Sequence, residues 1–187
     1  DSFALDGRFA DPARFAVAKQ LKDGLEKGGL RQDQVHPDLV VCIGGDGSLL
    51  KALNTRGYEG RYLLINGGTL GFLGDYRINE VTRAGYDILN ATPFLETHAP
   101  LVIEDNRGHK AYAANDISLI APVRAINFEV LVDSEHLASV QGSGIVVASE
   151  LGSTAFQLSL GGPVLLTGSG AYSFNLVAPP ENRVAPT

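Results

Sequence analysis

The chain has no methionine and only one cysteine in 187 residues. Ordinary usage would place about four methionines in a chain of this size. Their absence, with Asp1 at the start, leads us to expect either a fragment or a sequence from which methionines have dropped out. In the second case the spacings below span short hidden gaps, and an intact mass above 19.8 kDa would reveal them. Cys42 cannot form an internal disulfide, and within an apolar run it reads as a small core residue. No run of five or more basic residues occurs and the net charge is −6, which excludes a general nucleic-acid binder. Anionic nucleotides are not excluded, because local N–H groups and Mg²⁺ can hold them. No apolar run approaches the length of a membrane helix, and no charged-then-apolar leader opens the chain. Neither a membrane nor nucleic acid is therefore expected as a partner, and the cytoplasm is the expected compartment. Two common phosphate motifs are missing as well: neither Gly-x-Gly-x-x-Gly nor Gly-Lys-Ser/Thr occurs.

What is present is concentrated in Val40-Val41-Cys42-Ile43-Gly44-Gly45-Asp46-Gly47-Ser48-Leu49-Leu50. An apolar run ends in three glycines around one carboxylate. Leu49, Leu50 and Leu53 then share one helical face. The order is buried strand, tight turn, helix N-terminus. Glycines let a backbone approach a phosphate, and the free N–H groups of a first helical turn favour an anion. A carboxylate in such a turn suits a metal contact or proton removal, which points to phosphoryl transfer onto a hydroxyl. The competing reading makes Asp46 a helix N-cap and the glycines plain turn residues. By residue type alone both readings stand.

Residues 1–38 carry one helical pattern, with Phe15, Ala16, Ala18, Leu21 and Leu25 on its apolar side and Gly28-Gly29 as its stop. A strand at Asp38–Ile43, a helix at Ser48–Asn54 and a strand at Tyr62–Asn66 follow. The second strand runs into another glycine turn, Gly67-Gly68-Thr69-Leu70-Gly71-Phe72-Leu73. Two apolar strands ending in glycine and separated by a helix read as a βαβ unit of a parallel sheet, with ligands at the carboxyl ends of the strands. Asn79–Leu89 reads as a short helix. After Pro93 the pattern changes to strand, turn, strand: Leu101–Glu104, Tyr112–Ile120, Ile126–Asp133 and Ser139–Ser149, with turns at 105–108 and 133–135. An α/β domain over residues 1–97 and a mainly antiparallel β domain over 98–187 are expected. Residues 169–187, ending in Pro179-Pro180 and Pro186-Thr187, look cut off.

A second constellation is Gly152-Ser153-Thr154-Ala155-Phe156, followed by Ser159 and Gly161-Gly162-Pro163. Small and hydroxyl residues of this kind let a backbone lie against a flat base while hydroxyls bond its edge; alone, they also fit a surface loop. Asn115-Asp116 at a strand start either closes a turn or bonds a ribose. Taken together, four segments in order resemble the NAD kinase family, over most of the chain from Asp38 to Pro163. Gly44-Gly45-Asp46-Gly47 matches the family's GGDG signature, and Ile65–Leu73 is similar to its second glycine turn. Asn115-Asp116 and Gly152–Pro163 resemble its later motifs, the last being the most specific. GGDG alone also fits lipid kinases of the diacylglycerol and sphingosine type.

The resemblance implies an α/β N-terminal domain with a parallel sheet, of the NAD kinase/diacylglycerol kinase kind, joined to a β-rich C-terminal domain. It implies transfer of a phosphoryl group from ATP to the adenosine 2′-hydroxyl of NAD, giving NADP, with Mg²⁺ or another divalent cation. By the same resemblance, Asp46 would be the catalytic base, with a Mg²⁺ contact. Gly44, Gly45 and Gly47 would form the phosphate turn, and Phe72 would line the NAD pocket. Asn115 and Asp116 would bind the adenosine side, and Thr154, Ala155, Phe156 and Ser159 would surround base and ribose. A homodimer or homotetramer is implied. Three positions depart from the family pattern. Ser143 stands where a ribose-binding Asp is usual, Phe156 where Tyr is usual, and Glu150 adds a negative charge near an anionic ligand. A final strand that usually completes the fold is not evident. The alternatives are a lipid or other small-alcohol kinase of the same fold, and a degenerate relative that binds NAD or NADP without turnover.

Overall fold

The computed structural model describes residues 1–68, 71–121 and 123–178. Thr69 and Leu70 of the second glycine turn, and the prolines at 179, 180 and 186, lie outside the described residues. The chain divides into two compact units, Asp1–Leu95 and a second beginning at Glu96.

The first unit is a doubly wound α/β layer. Its strands are β1 (Ser2–Gly7), β2 (Arg31–Gln32), β3 (Leu39–Gly44), β4 (Tyr62–Asn66) and β5 (Tyr76–Arg77). All pairings are parallel, and the order is β2-β1-β3-β4-β5. β3 reads as an unbroken apolar run because both faces of a central parallel strand are covered. Val41 and Ile43 point to one face with Phe3, Leu5 and Ile65. On that face lie α1 (Pro12–Lys27) and α3 (Val81–Asn90), which contribute Ala18, Leu21, Leu25, Val81 and Ala84. Val40 and Cys42 point to the other, where Ala52 and Leu49 of α2 (Asp46–Arg56) pack with Leu64. Burial pushes the Cys42 thiol up to about 12, so it is an unreactive core group. α1 starts where Asp11 accepts a hydrogen bond from Ala13 N at 2.9 Å, with Pro12 in the first turn.

Two features differ from the sequence-based expectation in this unit. β1 is an interior strand, whereas residues 1–38 were expected to hold a helix alone. Its apolar stretch, Phe3-Ala4-Leu5, is too short to show a period, and its burial comes from pairing with β3. The apolar stripe of α1 runs through Ala18, Leu21 and Leu25, but Phe15 is 57% exposed and Ala16 is also exposed.

The second unit is antiparallel β. It comprises β6 (Leu101–Glu104) paired with β7 (Lys110–Ala113), and β9 (Ile126–Val132) paired with β10 (Glu135–Gly142). A third sheet has the order β12-β11-β8, from Tyr172–Val177, Gly144–Ser149 and Asp116–Ile120. The chain therefore has the α/β-plus-β-rich class the sequence implied. Tyr112–Ile120 is two strands rather than one, broken at Ala114-Asn115. Ser139–Ser149 is broken at Ser143, whose N–H donates to the Val177 carbonyl and whose carbonyl accepts from Ala121 N. β12 provides a strand in a stretch where none was expected to be evident.

Phe3→Ala should destabilise the first unit by about 3–5 kcal/mol, the usual cost of emptying a buried aromatic site. Phe15→Ser should change stability by no more than about 0.5 kcal/mol, as surface substitutions do. Urea unfolding followed by circular dichroism measures both, and equal effects would contradict the packing described.

Candidate active site

The two glycine turns of the first unit lie side by side because β3 and β4 are parallel neighbours whose carboxyl ends coincide. Gly67 N donates to the Gly44 carbonyl at 3.0 Å and ties the turns together. Gly44 has no room for a side chain, since a Cβ there would lie 2.1 Å from Ser48 Oγ. At Gly45 and Gly47 a Cβ would meet nothing within 4 Å. Their glycines leave open space over the start of α2, the room a phosphate needs. Gly45 is the N-cap and supplies no side-chain bond; Ser48 N donates to the Gly45 carbonyl at 2.8 Å, and no side chain caps the amides before it.

Asp46 is therefore not the N-cap, and that reading fails. It is the first helical residue, and its carboxylate reaches the second turn. Oδ2 accepts from Phe72 N at 2.9 Å, and Oδ1 accepts from Leu73 N at 3.3 Å. A carboxylate offers about four lone-pair positions, so each oxygen keeps capacity for a further donor. Gly71 lies against this carboxylate, and a Cβ there would stand 3.0 Å from Asp46 Oδ1 and 2.2 Å from Asn66 Nδ2. Asn66 Oδ1 in turn accepts from Gly68 N at 2.8 Å. Phe72 is 76% exposed and presents its ring beside this site.

Two cavities are lined by neighbours and partners of Asp46, although Asp46 itself lines neither. One, of about 290 Å³, is lined by its neighbours Gly45 and Gly47 together with Arg8, Arg14, Lys51 and Asp6. Asp6 is already neutralised by Arg56, at 2.9 Å. Among the described residues, neither Arg8 nor Lys51 makes an ion pair or a side-chain hydrogen bond. Arg14 pairs with Asp11 at 3.6 Å, so the cavity's excess positive charge comes from Arg8 and Lys51, in a chain of net charge −6. The cavity lies at the carboxyl ends of β1 and β3, where the strand order reverses, the usual ligand position in an open α/β sheet. The second cavity is lined by Asn66, Phe72, Tyr76 and Arg77 among others.

In the second unit, Asn115 and Asp116 stand at the start of β8, with Asn115 Nδ2 donating to Asp116 Oδ2 at 3.0 Å. Burial raises the Asp116 carboxyl above its ordinary value. A hydroxyl donor from a ligand would relieve that cost. The Gly152–Phe156 segment is fixed against the same strand start. Ser149 N donates to Asn115 O at 2.8 Å, and Ser149 Oγ to Ala114 O at 2.6 Å. A Cβ on Gly152 would stand 2.1 Å from Asn115 O. Thr154 is half-buried, while Ala155, Phe156 and Ser159 are exposed. Phe156–Ser159 forms a helical turn rather than a loop. Gln157 is fully buried there, donating to Ser173 Oγ at 2.9 Å.

Residues 115–175 match the family model described as the ATP-NAD kinase C-terminal domain. The NAD kinase of Pseudomonas putida strain F1 is 38% identical over 135 residues, covering 68% of this chain and 46% of that protein. The NAD kinase of Thermoplasma acidophilum is 30% identical over 166 residues, covering 87% of this chain and 60% of that one. The chain belongs to the NAD kinase family. It spans about half the length of the curated relatives it matches. In fold, it is similar to the crystal structure of yeast NADH kinase complexed with NADH, with a TM-score of 0.85 at 18% identity over 100% of this chain and 65% of that one. It is also similar to an NAD kinase from Archaeoglobus fulgidus in complex with ATP, with a TM-score of 0.81 at 20% identity over 100% and 76%.

Arg8, Arg14 and Lys51 went unread in the sequence. Lys51 lies one helical turn after the GGDG segment and was the legible one of the three. Arg8 and Arg14 follow β1, and without that strand nothing placed them. Among the described residues no three His, Cys, Asp or Glu side chains gather to hold a metal. Mg²⁺ in nucleotide sites takes one or two carboxylates plus substrate phosphates, and Asp46 beside a basic cavity fits that donor set.

Gly152→Ala should destabilise the second unit by about 1–3 kcal/mol, since the added methyl meets backbone that must move. Gly47→Ala, which meets open space, should leave the melting temperature nearly unchanged. Thermal unfolding of both variants decides, and a harmless Gly152→Ala would mean that the segment does not lie against Asn115.

Proposed function

We propose that this chain carries NAD kinase activity, transferring the γ-phosphoryl group of ATP to the adenosine 2′-hydroxyl of NAD to give NADP. The observation that carries the reading is Asp46: a carboxylate with spare lone pairs, bonded to the amides of the exposed Phe72 and of Leu73, whose flanking glycines line a basic cavity. Arg8, Arg14, Lys51 and the backbone amides at Gly45 and Gly47 would hold the donor phosphates. Phe72 would lie against the dinucleotide. Asp46 would take the proton of the 2′-hydroxyl as its oxygen bonds to the γ-phosphorus and the bond to the β-phosphate oxygen breaks, releasing ADP. A divalent cation bound to the donor, with Asp46 in contact, would neutralise charge on the transferring group.

The second unit would hold NAD through Asn115, Asp116, Thr154, Ala155, Phe156 and Ser159. NAD hydroxyls donating to Asp116 favour its charged form, which suits a carboxyl that burial alone disfavours. Glu150 does not count against the reading, because its carboxylate is turned inward and only 9% exposed. Phe156 keeps a stacking face where the family has a tyrosine. A lipid or small-alcohol kinase is less favoured, since residues 115–175 match the ATP-NAD kinase C-terminal domain. A cytoplasmic homodimer or homotetramer is the assembly and location this reading carries. No helix among the described residues is long and apolar enough to cross a membrane.

Asp46→Asn keeps size and one acceptor oxygen but removes the base. Turnover, assayed as NADP formed from NAD, ATP and Mg²⁺, should fall by on the order of 10²–10⁴, with NAD affinity much less affected. Unchanged turnover would leave Asp46 as a clamp on the second turn and end the mechanism. Lys51→Ala should raise the KM for ATP by roughly 5- to 30-fold, as loss of a charge-assisted phosphate contact does. The KM for NAD should stay nearly constant. A rise confined to NAD would place the donor elsewhere.

A further inference from the structure

Glu150 sits between the end of β11 and Gly152, at a position the reaction does not use. One carboxylate oxygen is 2.7 Å from His98 Nδ1. The other accepts from Ser169 Oγ and from Gly170 N, each at 3.3 Å. Its backbone carbonyl accepts from Ser153 Oγ at 2.9 Å, and that hydroxyl accepts from Leu165 N at 3.0 Å. Three stretches outside the strands therefore bond to Glu150: His98 before β6 and Ser169-Gly170 through its carboxylate, and Ser153 through its backbone carbonyl, with Leu165 joined to them by Ser153. None of these ties is apolar. Val146, Ala148 and Ala114 are the buried apolar residues of this unit among those described, so these stretches have little hydrophobic packing to fix them.

We propose that Glu150 is a positioning residue for dinucleotide binding: its carboxylate, through His98 and the Ser169-Gly170 amide and hydroxyl, holds the Gly152–Phe156 segment in its binding conformation without touching the dinucleotide. The inference rests on the reading that this segment binds NAD. A binding loop that is already ordered does not spend affinity on ordering itself when the ligand arrives. The carboxyl is in the right state for this. The His98 hydrogen bond first, then the Gly170 amide, hold it below its ordinary value of 4.5. The interaction is thus fully present above that pH and is lost as pH falls through the lowered value. His98 Nε2 also faces Glu96 Oε2 at 3.5 Å, so a protonated imidazole would be flanked by two carboxylates.

The test measures NAD dissociation constants and steady-state kinetics on the full chain and its variants. Glu150→Ala should raise the dissociation constant and the KM for NAD by roughly tenfold, the expected effect of releasing a preorganised loop, with kcat within about twofold. Glu150→Gln, which keeps an acceptor for Gly170, should recover part of the loss. His98→Ala should act like Glu150→Ala, and the double variant should be no worse than either alone. His98→Ala also carries the test if Glu150→Ala fails to fold. Tighter NAD binding by Glu150→Ala would show that the carboxylate repels the ligand, and would overturn the proposal. So would a lower melting temperature with unchanged NAD affinity. If the unaltered chain does not bind NAD, the functional reading fails by itself. Amide hydrogen exchange at residues 152–155 then judges the clamp: about tenfold faster exchange in Glu150→Ala supports it, and unchanged exchange refutes it.

Discussion

The hydrogen bond from Gly67 N to the Gly44 carbonyl joins the ends of two parallel strands, and the chemistry of the first unit is arranged around that junction. Parallel pairing brings both carboxyl ends to one edge. Each strand must then turn back over its neighbour, and glycine is what allows the two turns to pack this closely. Asp46 completes the junction by accepting two amides of the second turn. Its carboxylate is thereby held in one place by backbone rather than by a salt bridge. That placement suits the proton removal proposed for it, since general-base catalysis needs a fixed position as well as basicity.

The same edge supplies the charge. β1 pairs with β3 on the side away from β4, so the residues that follow β1 come round to the start of α2. Arg8, Arg14 and Lys51 converge there although they come from two separate segments of the chain. Each carries an ordinary surface charge on its own element. Together with the uncapped amides of α2 they make a local field opposite in sign to the net charge of the protein, and local field decides where an anion binds.

The second unit is held by a different kind of interaction. Its buried side chains include Ser149, Ser153, Gln157, Ser173 and Asn175, while few apolar side chains are fully covered. Hydrogen bonds from Ser149 to Ala114 and Asn115, and the contacts of Glu150, fix the loops that carry the candidate dinucleotide residues. Buried polar groups of this sort are costly unless paired. Pairing makes the geometry specific, since each bond is met in one arrangement; among the described residues the buried Gln157 Oε1 is the exception, with no partner. Gly152 shows the tightness of fit, its α-carbon leaving no room for a methyl group beside Asn115.

Much of this was written in local pattern. The apolar run Val40–Ile43, the glycines of both turns and the period-two strands after Leu101 declare a parallel α/β unit and an antiparallel β unit, because burial on two faces or one face imposes its own residue period. Asp46, Asn115-Asp116 and Gly152–Phe156 each fit an ordinary cap, turn or loop alone, and stood out because together, in order along the chain, they resemble one family's motifs. The chain could not declare β1, whose three apolar residues become a strand only beside β3. Nor could it declare that Gly45 rather than Asp46 caps α2, that Phe15 faces water, or that Glu150 turns inward to His98. Each of these depends on which distant backbone group lies within about 3 Å, and that is set by the packing of elements far apart in sequence. Local pattern determined the elements and the candidate chemistry; tertiary packing alone decided which charges meet and which way each side chain turns.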